Sequence, residues 1–342
     1  MKDITYLIGA GASANCLPVI AGLNDRIKGF INVLNDKKKD FDSIRKLRGH
    51  VGVTDKSESE WLELLISDLK WLEKSSSLHA SVDTFAKKLW IKQNSRDLKR
   101  LKLGLTIFFT YEQASRRFDF RYDSFFASIL KIGAILPQNI KVISWNYDNQ
   151  FELSYNEYST DNNYDHIKHS LGINSKYGLN DTDYIERFTI NKLNGSCLEI
   201  YDSRFGVVSS FEGLIASNPA TSTFFKNLVK EYANAMHQDW SHSSLSFSWE
   251  GDSEKSNIVE LAKTASENSE VLIVIGYSFP YFNRDIDGDI INSMTNLSKV
   301  YIQDINPSPI IARFKAIAQG LNDINIVAHN DVEQFLLPNE LE

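Results

Sequence analysis

At 342 residues the chain is long enough for two domains, and its net charge of −7 gives no overall pull toward nucleic acid or an anionic membrane. Its two cysteines, Cys16 and Cys197, exclude a disulfide framework and a four-cysteine zinc site, and they fit a reduced cytoplasm. No run of about 20 apolar residues marks a membrane span, and no signal-peptide core is expected before the first strand.

Residues 4–8 read as a short buried strand that breaks at Gly9-Ala10-Gly11 and leads into a helix start. The spacing of Gly9, Gly11 and Ala14 fits G-x-G-x-x-G/A between strand and helix. Glycines at 9 and 11 let the backbone turn tightly and approach a pyrophosphate. N–H groups at the helix start would face the anion, with the Ser13 hydroxyl as a further donor. The plain alternative is a tight strand–helix turn.

Residues 25–135 read as a helical insertion. Ser57-Glu58-Ser59-Glu60 matches a capping box ahead of Trp61, Leu64, Leu65, Leu69 and Leu72. Further helical periodicity covers 98–118 and 125–136, and 49–59 reads as a loop. Two basic clusters stand out. One holds Lys37, Lys38, Lys39, Arg45, Lys46 and Arg48; the other holds Lys87, Lys88, Lys92, Arg96, Lys99, Arg100 and Lys102. They read as solvated helix faces or as a contact surface for a partner protein or for nucleic acid, although no motif of the usual nucleic-acid modules accompanies them. Asp36 follows Phe30, Ile31, Val33 and Leu34 about twenty residues after the glycines, as the second-strand acid of a dehydrogenase would. Pro18 and Gly22 disturb the regular first helix such a unit requires, which disfavours that reading.

From residue 139 onward, short apolar strands alternate with helices, the pattern of a parallel sheet. Strands are expected at 141–144, 189–193, 271–275, 300–303 and 325–328, and helices at 221–240, 258–267, 289–297 and 309–321. Residues 201–211 read as a hairpin and 241–256 as a mobile loop. His166, His169, His237 and His242 fall in connections, without metal-ligand spacing. The fold expected is α/β, a Rossmann-like parallel sheet made of 1–24 and 136–342 with the insertion between them.

Polar turns follow the strands. They are Gly9 to Ser13, Trp145-Asn146-Tyr147-Asp148, Asn194-Gly195-Ser196, Gly276-Tyr277-Ser278-Phe279-Pro280, Asp304-Ile305-Asn306-Pro307 and His329-Asn330-Asp331. Ligands of open α/β sheets bind outside such carboxyl ends. Six together favour a ligand crevice.

Leu7-Ile8-Gly9-Ala10-Gly11-Ala12-Ser13, with Leu17-Pro18 and Gly22-Leu23, resembles the opening of sirtuin-like domains. Asn146-Tyr147-Asp148 resembles the strand-end motif of their bacterial anti-phage branch. Ile275-Gly276-Tyr277-Ser278-Phe279-Pro280, followed by Asn283, Asp285, Ile286 and Asp287, is similar to that branch's late glycine-serine motif. The resemblance implies a sirtuin-like NAD hydrolase that yields nicotinamide and ADP-ribose and depletes NAD during infection. It also implies a homo-oligomer, or a chain working with a HerA-type ring ATPase or another phage-sensing partner. Nucleic acid would be met only indirectly, and a membrane not at all. Gly9, Ala10, Gly11, Ser13, Pro18, Gly276, Ser278, Asn283, Asp304 and Asn306 would bind the NAD, and Asn146, Asp148 and Asn194 would occupy the catalytic positions.

Three departures bear on the activity. Sirtuin deacylases carry a cysteine zinc module that two cysteines cannot build, so deacylation is disfavoured. Cys16 stands where a glycine commonly precedes the Leu-Pro pair. The third strand end usually reads L-H-G-S, and here it reads Leu193-Asn194-Gly195-Ser196. Cleaving NAD requires stabilising oxocarbenium character on the ribose and delivering water to one face. The Asn146 amide both donates and accepts, which suits a ribose hydroxyl or the water. Asp148 would stabilise cationic charge or cap the following helix. A neutral amide at 194 cannot act as a base, though it can bind the ribose. The alternative function is an NAD or ADP-ribose-binding module without turnover that signals to or assembles with a partner ATPase.

Overall fold

The computed structural model describes residues 2–49, 52–160, 163–177, 186–204, 206–208, 212–215, 217–251, 253–319 and 324–341. In chain order the strands are β1 (Ile4–Ile8), β2 (Lys46–Gly49), β3 (Gly52–Ser57), β4 (Ile140–Ser144), β5 (Ile173–Ser175), β6 (Thr189–Lys192), β7 (Ile200–Asp202), β8 (Gly206–Val208), β9 (Ser241–Ser243), β10 (Val271–Ile275), β11 (Lys299–Gln303) and β12 (Asn325–His329). The α-helices are α1 (Leu23–Asp36), α2 (Glu58–Ser77), α3 (Val82–Ile91), α4 (Ser95–Ser115), α5 (Phe120–Ile129), α6 (Gln150–Tyr155), α7 (Tyr164–Ser170), α8 (Glu212–Ile215), α9 (Ser222–His237), α10 (Ser253–Ser266), α11 (Arg284–Ser293) and α12 (Pro307–Ile317).

The chain folds into two units: Met1–Asn15 with Phe118–Ser196 and Ser246–Glu342, and Cys16–Arg117 with Cys197–Leu245. These divisions run elsewhere than residues 24 and 136. Residues 118–135 belong to the first unit, and 197–245 to the second.

The first unit is an α/β, Rossmann-like layer structure. Its seven parallel strands lie in the order β12-β11-β10-β1-β4-β6-β5. β1, β4 and β10 are buried along their whole length, because a parallel sheet covered on both faces admits continuous apolar runs. Alternation then sends side chains to two cores. Ile4, Tyr6 and Ile8 pack with Tyr122, Phe125, Phe126, Phe151 and Phe335 on one face. Leu7 and Leu272 pack with Ile258, Ile290, Ile310 and Phe314 on the other. α5, α6 and α7 thus cover one face, and α10, α11 and α12 the other.

Register keeps the carboxyl ends level: Ile8 lies opposite Ser144 and Ile275, Ser144 opposite Lys192, and Gln303 opposite Ile275 and His329. The ladder runs one residue further, through Gly9 N–H to the Ile275 carbonyl at 3.0 Å and Trp145 N–H to the Ile8 carbonyl at 3.0 Å. From β1 the chain fills β4, β5 and β6 on one side, then returns to place β10 on the other. The order therefore switches direction between β1 and β10.

The second unit holds α1 to α4, α8 and α9, the β2–β3 hairpin, and a three-stranded sheet in the order β8-β7-β9. The capping box forms as expected: Ser57 Oγ accepts Glu60 N–H at 3.2 Å and Glu60 Oε2 accepts Ser57 N–H at 2.7 Å. The buried Asp68 accepts from Arg100 Nη2 at 2.6 Å and Tyr232 OH at 2.6 Å. No helix among the described residues is long and apolar enough to cross a membrane.

Several expectations are corrected here. Residues 49–59 contain β3 rather than a loop, because Leu47, Thr54 and Ser57 turn inward while Lys46, Arg48, Val53 and Asp55 stay exposed; residues 50 and 51 lie outside the described set. Residues 241–256 begin with β9, paired to β7, and Ser241, Ser243 and Ser244 are buried. Within the expected hairpin at 201–211, β7 and β8 do pair antiparallel, with 205 and 209–211 outside the described residues. The helix expected over 309–321 ends at Ile317, and 320–321 lie outside that set. Asp36 is the last residue of α1, so no strand precedes it and the dehydrogenase placement fails. His166 and His169 lie in α7, His237 ends α9 and His242 lies in β9, rather than in connections.

Candidate functional site

The glycine turn is the hinge of the site. A 3-10 turn, Ala10–Ser13, follows β1 directly, and the first α-helix does not begin until Leu23. The expected helix start behind the glycines is thus a single tight turn, too short to present a helix dipole. Gly11 N–H donates to the Gly276 carbonyl at 2.9 Å. A Cβ on Gly9 would stand 2.7 Å from the Gly276 oxygen and Tyr277 Cα, and one on Gly11 would stand 2.7 Å from Gly276 Cα. Gly276 itself has φ +57, and a Cβ there would collide with Gly11 and Ala12 backbone. The space these glycines leave is occupied by each other's turns. The bare glycine faces admit a second turn.

Beneath the turn lies a buried polar cluster. Asn146 Nδ2 donates to the Gly9 carbonyl at 3.0 Å and to Ser13 Oγ at 3.3 Å. Ser13 Oγ donates to Asp148 Oδ2 at 2.8 Å and lies 2.8 Å from Tyr122 OH. With Tyr122 as donor, the serine hydroxyl gives one hydrogen bond and accepts two, its full capacity. Asp148 Oδ1 accepts Gln150 N–H at 3.3 Å, but the N-cap of α6 is Asn149 and carries no side-chain cap bond, so Asp148 sits one residue ahead of the capping position. Burial pushes the Asp148 carboxyl up to about 6, against Lys192, Ser13 and Gln150, which lower it. Lys192 Nζ donates to the Asp148 carbonyl at 2.6 Å and to Glu152 Oε1 at 2.7 Å. Arg121 Nη2 donates to the carbonyls of Gly11 and Ala12 at 3.1 and 2.9 Å.

The other expected residues are placed as follows. Asn194 is partly exposed; its amide donates to the Trp145 carbonyl at 2.9 Å, and its own carbonyl accepts Ser246 N–H at 3.0 Å. Asn283 is buried and donates to Tyr277 OH at 2.9 Å. Ala10, Ser278 and Asn306 are exposed, and Asp304 is half-buried. The Ser278 carbonyl accepts Arg313 Nη1 at 2.8 Å, and Asp304 Oδ1 accepts Asn306 N–H at 2.9 Å, ahead of α12 with Pro307 at its start. Pro18 falls in the second unit.

Thus Gly9, Gly11, Ser13, Asn146, Asp148 and Gly276 come together, while Asp304 and Asn306 sit at the end of β11. No family model and no curated protein matches the chain. The arrangement pairs a satisfied, buried polar floor with exposed groups along the strand ends, which can bind a polar ligand by its hydroxyl and phosphate groups. Among the described residues no group of three or more His, Cys, Asp or Glu is arranged to hold a metal ion.

Sequence reasoning passed over Tyr122, Arg121, Lys192 and Glu152, and it quoted Trp145, Tyr277 and Asp287 without a role. A signal was present for Asp287. It is a carboxylate spaced with Ile290 and Ile291 on the apolar stripe of α11.

Proposed function

We propose that the chain binds NAD at the carboxyl ends of β10, β1, β4 and β6 and hydrolyses its nicotinamide–ribose bond. The observation that carries this reading is the switch point between β1 and β10, where the turns of Gly9 to Ser13 and Gly276 to Phe279 meet. Dinucleotides bind doubly wound sheets at that place. The motif resemblance of the same turns supplies the choice of NAD.

In this reading, water adds to the ribose C1′ as the C1′–nitrogen bond breaks, giving nicotinamide, ADP-ribose and a proton. The Asn146 amide nitrogen is already spent on Gly9 and Ser13, so a contact to ribose or water runs through its side-chain oxygen. Asn194 supplies an amide toward the same ribose. Asp304 and Asn306 face the adenosine ribose, and Ser278 the phosphates. The physiological setting that goes with the reading is NAD depletion in the cytoplasm during phage infection. The chain would act as a homo-oligomer or with a HerA-type ring ATPase or other phage-sensing partner.

One observation favours a second reading, binding of NAD or ADP-ribose without turnover. The side chain at the third strand end is a neutral amide, which has no useful pKa for proton transfer. Incubation with NAD separates the readings by chromatography and calorimetry. Nicotinamide release supports hydrolysis, unchanged bound NAD supports the module, and NADH or no binding removes both.

A further inference from the structure

Asp287 lies in the first turn of α11 and is 1 % exposed. Its carboxylate receives Trp145 Nε1–H at 2.9 Å and Tyr277 OH at 2.7 Å. Trp145 is the first residue after β4 and Tyr277 the second after β10, the two strands that flank β1. The two rings stack at 6.1 Å with planes 12° apart. Asn283 donates to the Tyr277 hydroxyl, and the Trp145 carbonyl accepts the Asn194 amide. One carboxylate therefore ties together the turns after β4 and β10 and, through Trp145, reaches the turn after β6.

The surroundings are apolar. A cavity of about 10 Å³ beside the carboxylate is lined by Leu7, Ile143, Leu272, Ile290, Ile291 and Met294. These come from β1, β4, β10, and α11 with the residue that follows it, and none is charged; among the described residues the polar groups facing Asp287 are the indole and hydroxyl, with Asn283 behind. Burial pushes the carboxyl up to about 7 despite its two donors. A buried carboxylate without a cation costs free energy, and so would leaving the indole and hydroxyl donors unsatisfied.

We propose that Asp287 is a positioning residue that clamps the turns after β4 and β10 on either side of the glycine turn, and so sets Asn146 and Asn194 against a ligand bound at these strand ends. The clamp stands on its own geometry; only the identity of the ligand rests on the NAD reading.

The test uses the full chain labelled with ¹⁵N, with the Trp145 indole N–H resonance identified through Trp145→Phe. Titrated from about pH 5 to about pH 9, that resonance moves in the wild type and stays still in Asp287→Asn. Tyr277→Phe, which removes one donor to the carboxylate, moves the midpoint upward. Calorimetry with NAD shows affinity falling about 10–100-fold in Asp287→Asn, the range seen when a group that orients a binding residue is lost. Asp289→Asn, exposed on the same helix, leaves affinity unchanged. Wild-type affinity in Asp287→Asn, or an indole resonance that is the same in Asp287→Asn as in the wild type across the whole pH range, overturns the proposal. If the wild type binds no NAD, the NAD reading fails by itself, and the side-chain amide resonances of Asn146 and Asn194 decide the clamp. They shift in Asp287→Asn if the carboxylate holds the turns, and unshifted resonances overturn it.

Discussion

Gly11 donates its backbone N–H to the carbonyl of Gly276, and neither residue leaves room for a side chain on the other. The contact joins two turns separated by most of the chain and closes the sheet where its strand order reverses. Glycine spacing at a strand end is commonly read as a phosphate cradle. Here the first demand on both glycines is backbone packing.

Gly11→Val is therefore expected to destabilise the first unit, beyond any effect on a ligand. The branched side chain must displace the Gly276 backbone, an overpacking of about 1–3 kcal/mol. Gly276→Ala adds a left-handed φ to the collision and should cost at least as much. Urea midpoints by circular dichroism check this. A midpoint equal to wild type for Gly11→Val would show that the turns part easily, and would restore the simple binding role.

Asp148 gives a pH-dependent prediction. Burial raises its carboxyl from the ordinary 3.8 to about 6. Between those values the native state keeps a proton that the unfolded chain has lost, so this group's contribution falls as pH rises through that window and is flat above it. Asp148→Asn removes the slope, while the altered hydrogen bonding with Ser13 is a constant that drops out of the comparison. The stability difference, variant minus wild type, should move toward the variant by on the order of 2–3 kcal/mol between about pH 4 and pH 7. Denaturant curves across that range test it, and a pH-independent difference would mean the native carboxyl is not raised.

The lysines after α1 are partly accounted for within the chain. Lys37 Nζ donates to the Ala220 carbonyl at 3.0 Å, and Lys38 pairs with Glu63 at 2.6 Å, while Lys39 is exposed. If the cluster recruits an acidic surface of a second copy or a partner, Lys39→Glu alone should lower the mass or the partner binding measured by light scattering. Reversing all three lysines should enlarge the effect. Unchanged mass and binding in both variants would leave the cluster a solvated face with internal bonds.

The parallel strands were legible because burial on both faces makes them continuous apolar runs such as Val271 to Ile275. β5 was missed, since three residues carry no period. The β2–β3 hairpin was missed because its chemistry is mostly polar, with Lys46, Arg48 and Asp55 outward. Helical periodicity over 125–136 caught only the second half of α5, which runs Phe120–Ile129 and gives way to a Lys131–Ile135 bridge, so Tyr122 and Arg121 went unseen beside the glycine turn. Strand-end motifs led to Ser13, Asn146 and Asp148, which do meet. What the one-dimensional pattern lacked was the contact partner, and that partner explains the glycines and the buried Asp287.

The sharpest test of turnover is at position 194. The backbone there is held by Ser246 N–H, and the side chain is partly exposed. The Asn194 amide now donates to the Trp145 carbonyl at 2.9 Å. An imidazole using Nδ1–H for that same bond would leave Nε2 as a base. Asn194→His is therefore expected to raise NAD hydrolysis by roughly 10²–10⁴-fold, the usual worth of a positioned acid–base group. Asn146→Ala in that background should abolish the gain, because Asn146 ties the Gly9 carbonyl to Ser13 and its loss frees the turn that would hold the ribose. Nicotinamide release by chromatography from parent, single and double variants measures both steps, with any activating partner present. Equal rates in parent and Asn194→His would mean proton transfer at 194 is not the missing step. Binding of NAD by both without reaction would favour the module that binds and does not cleave.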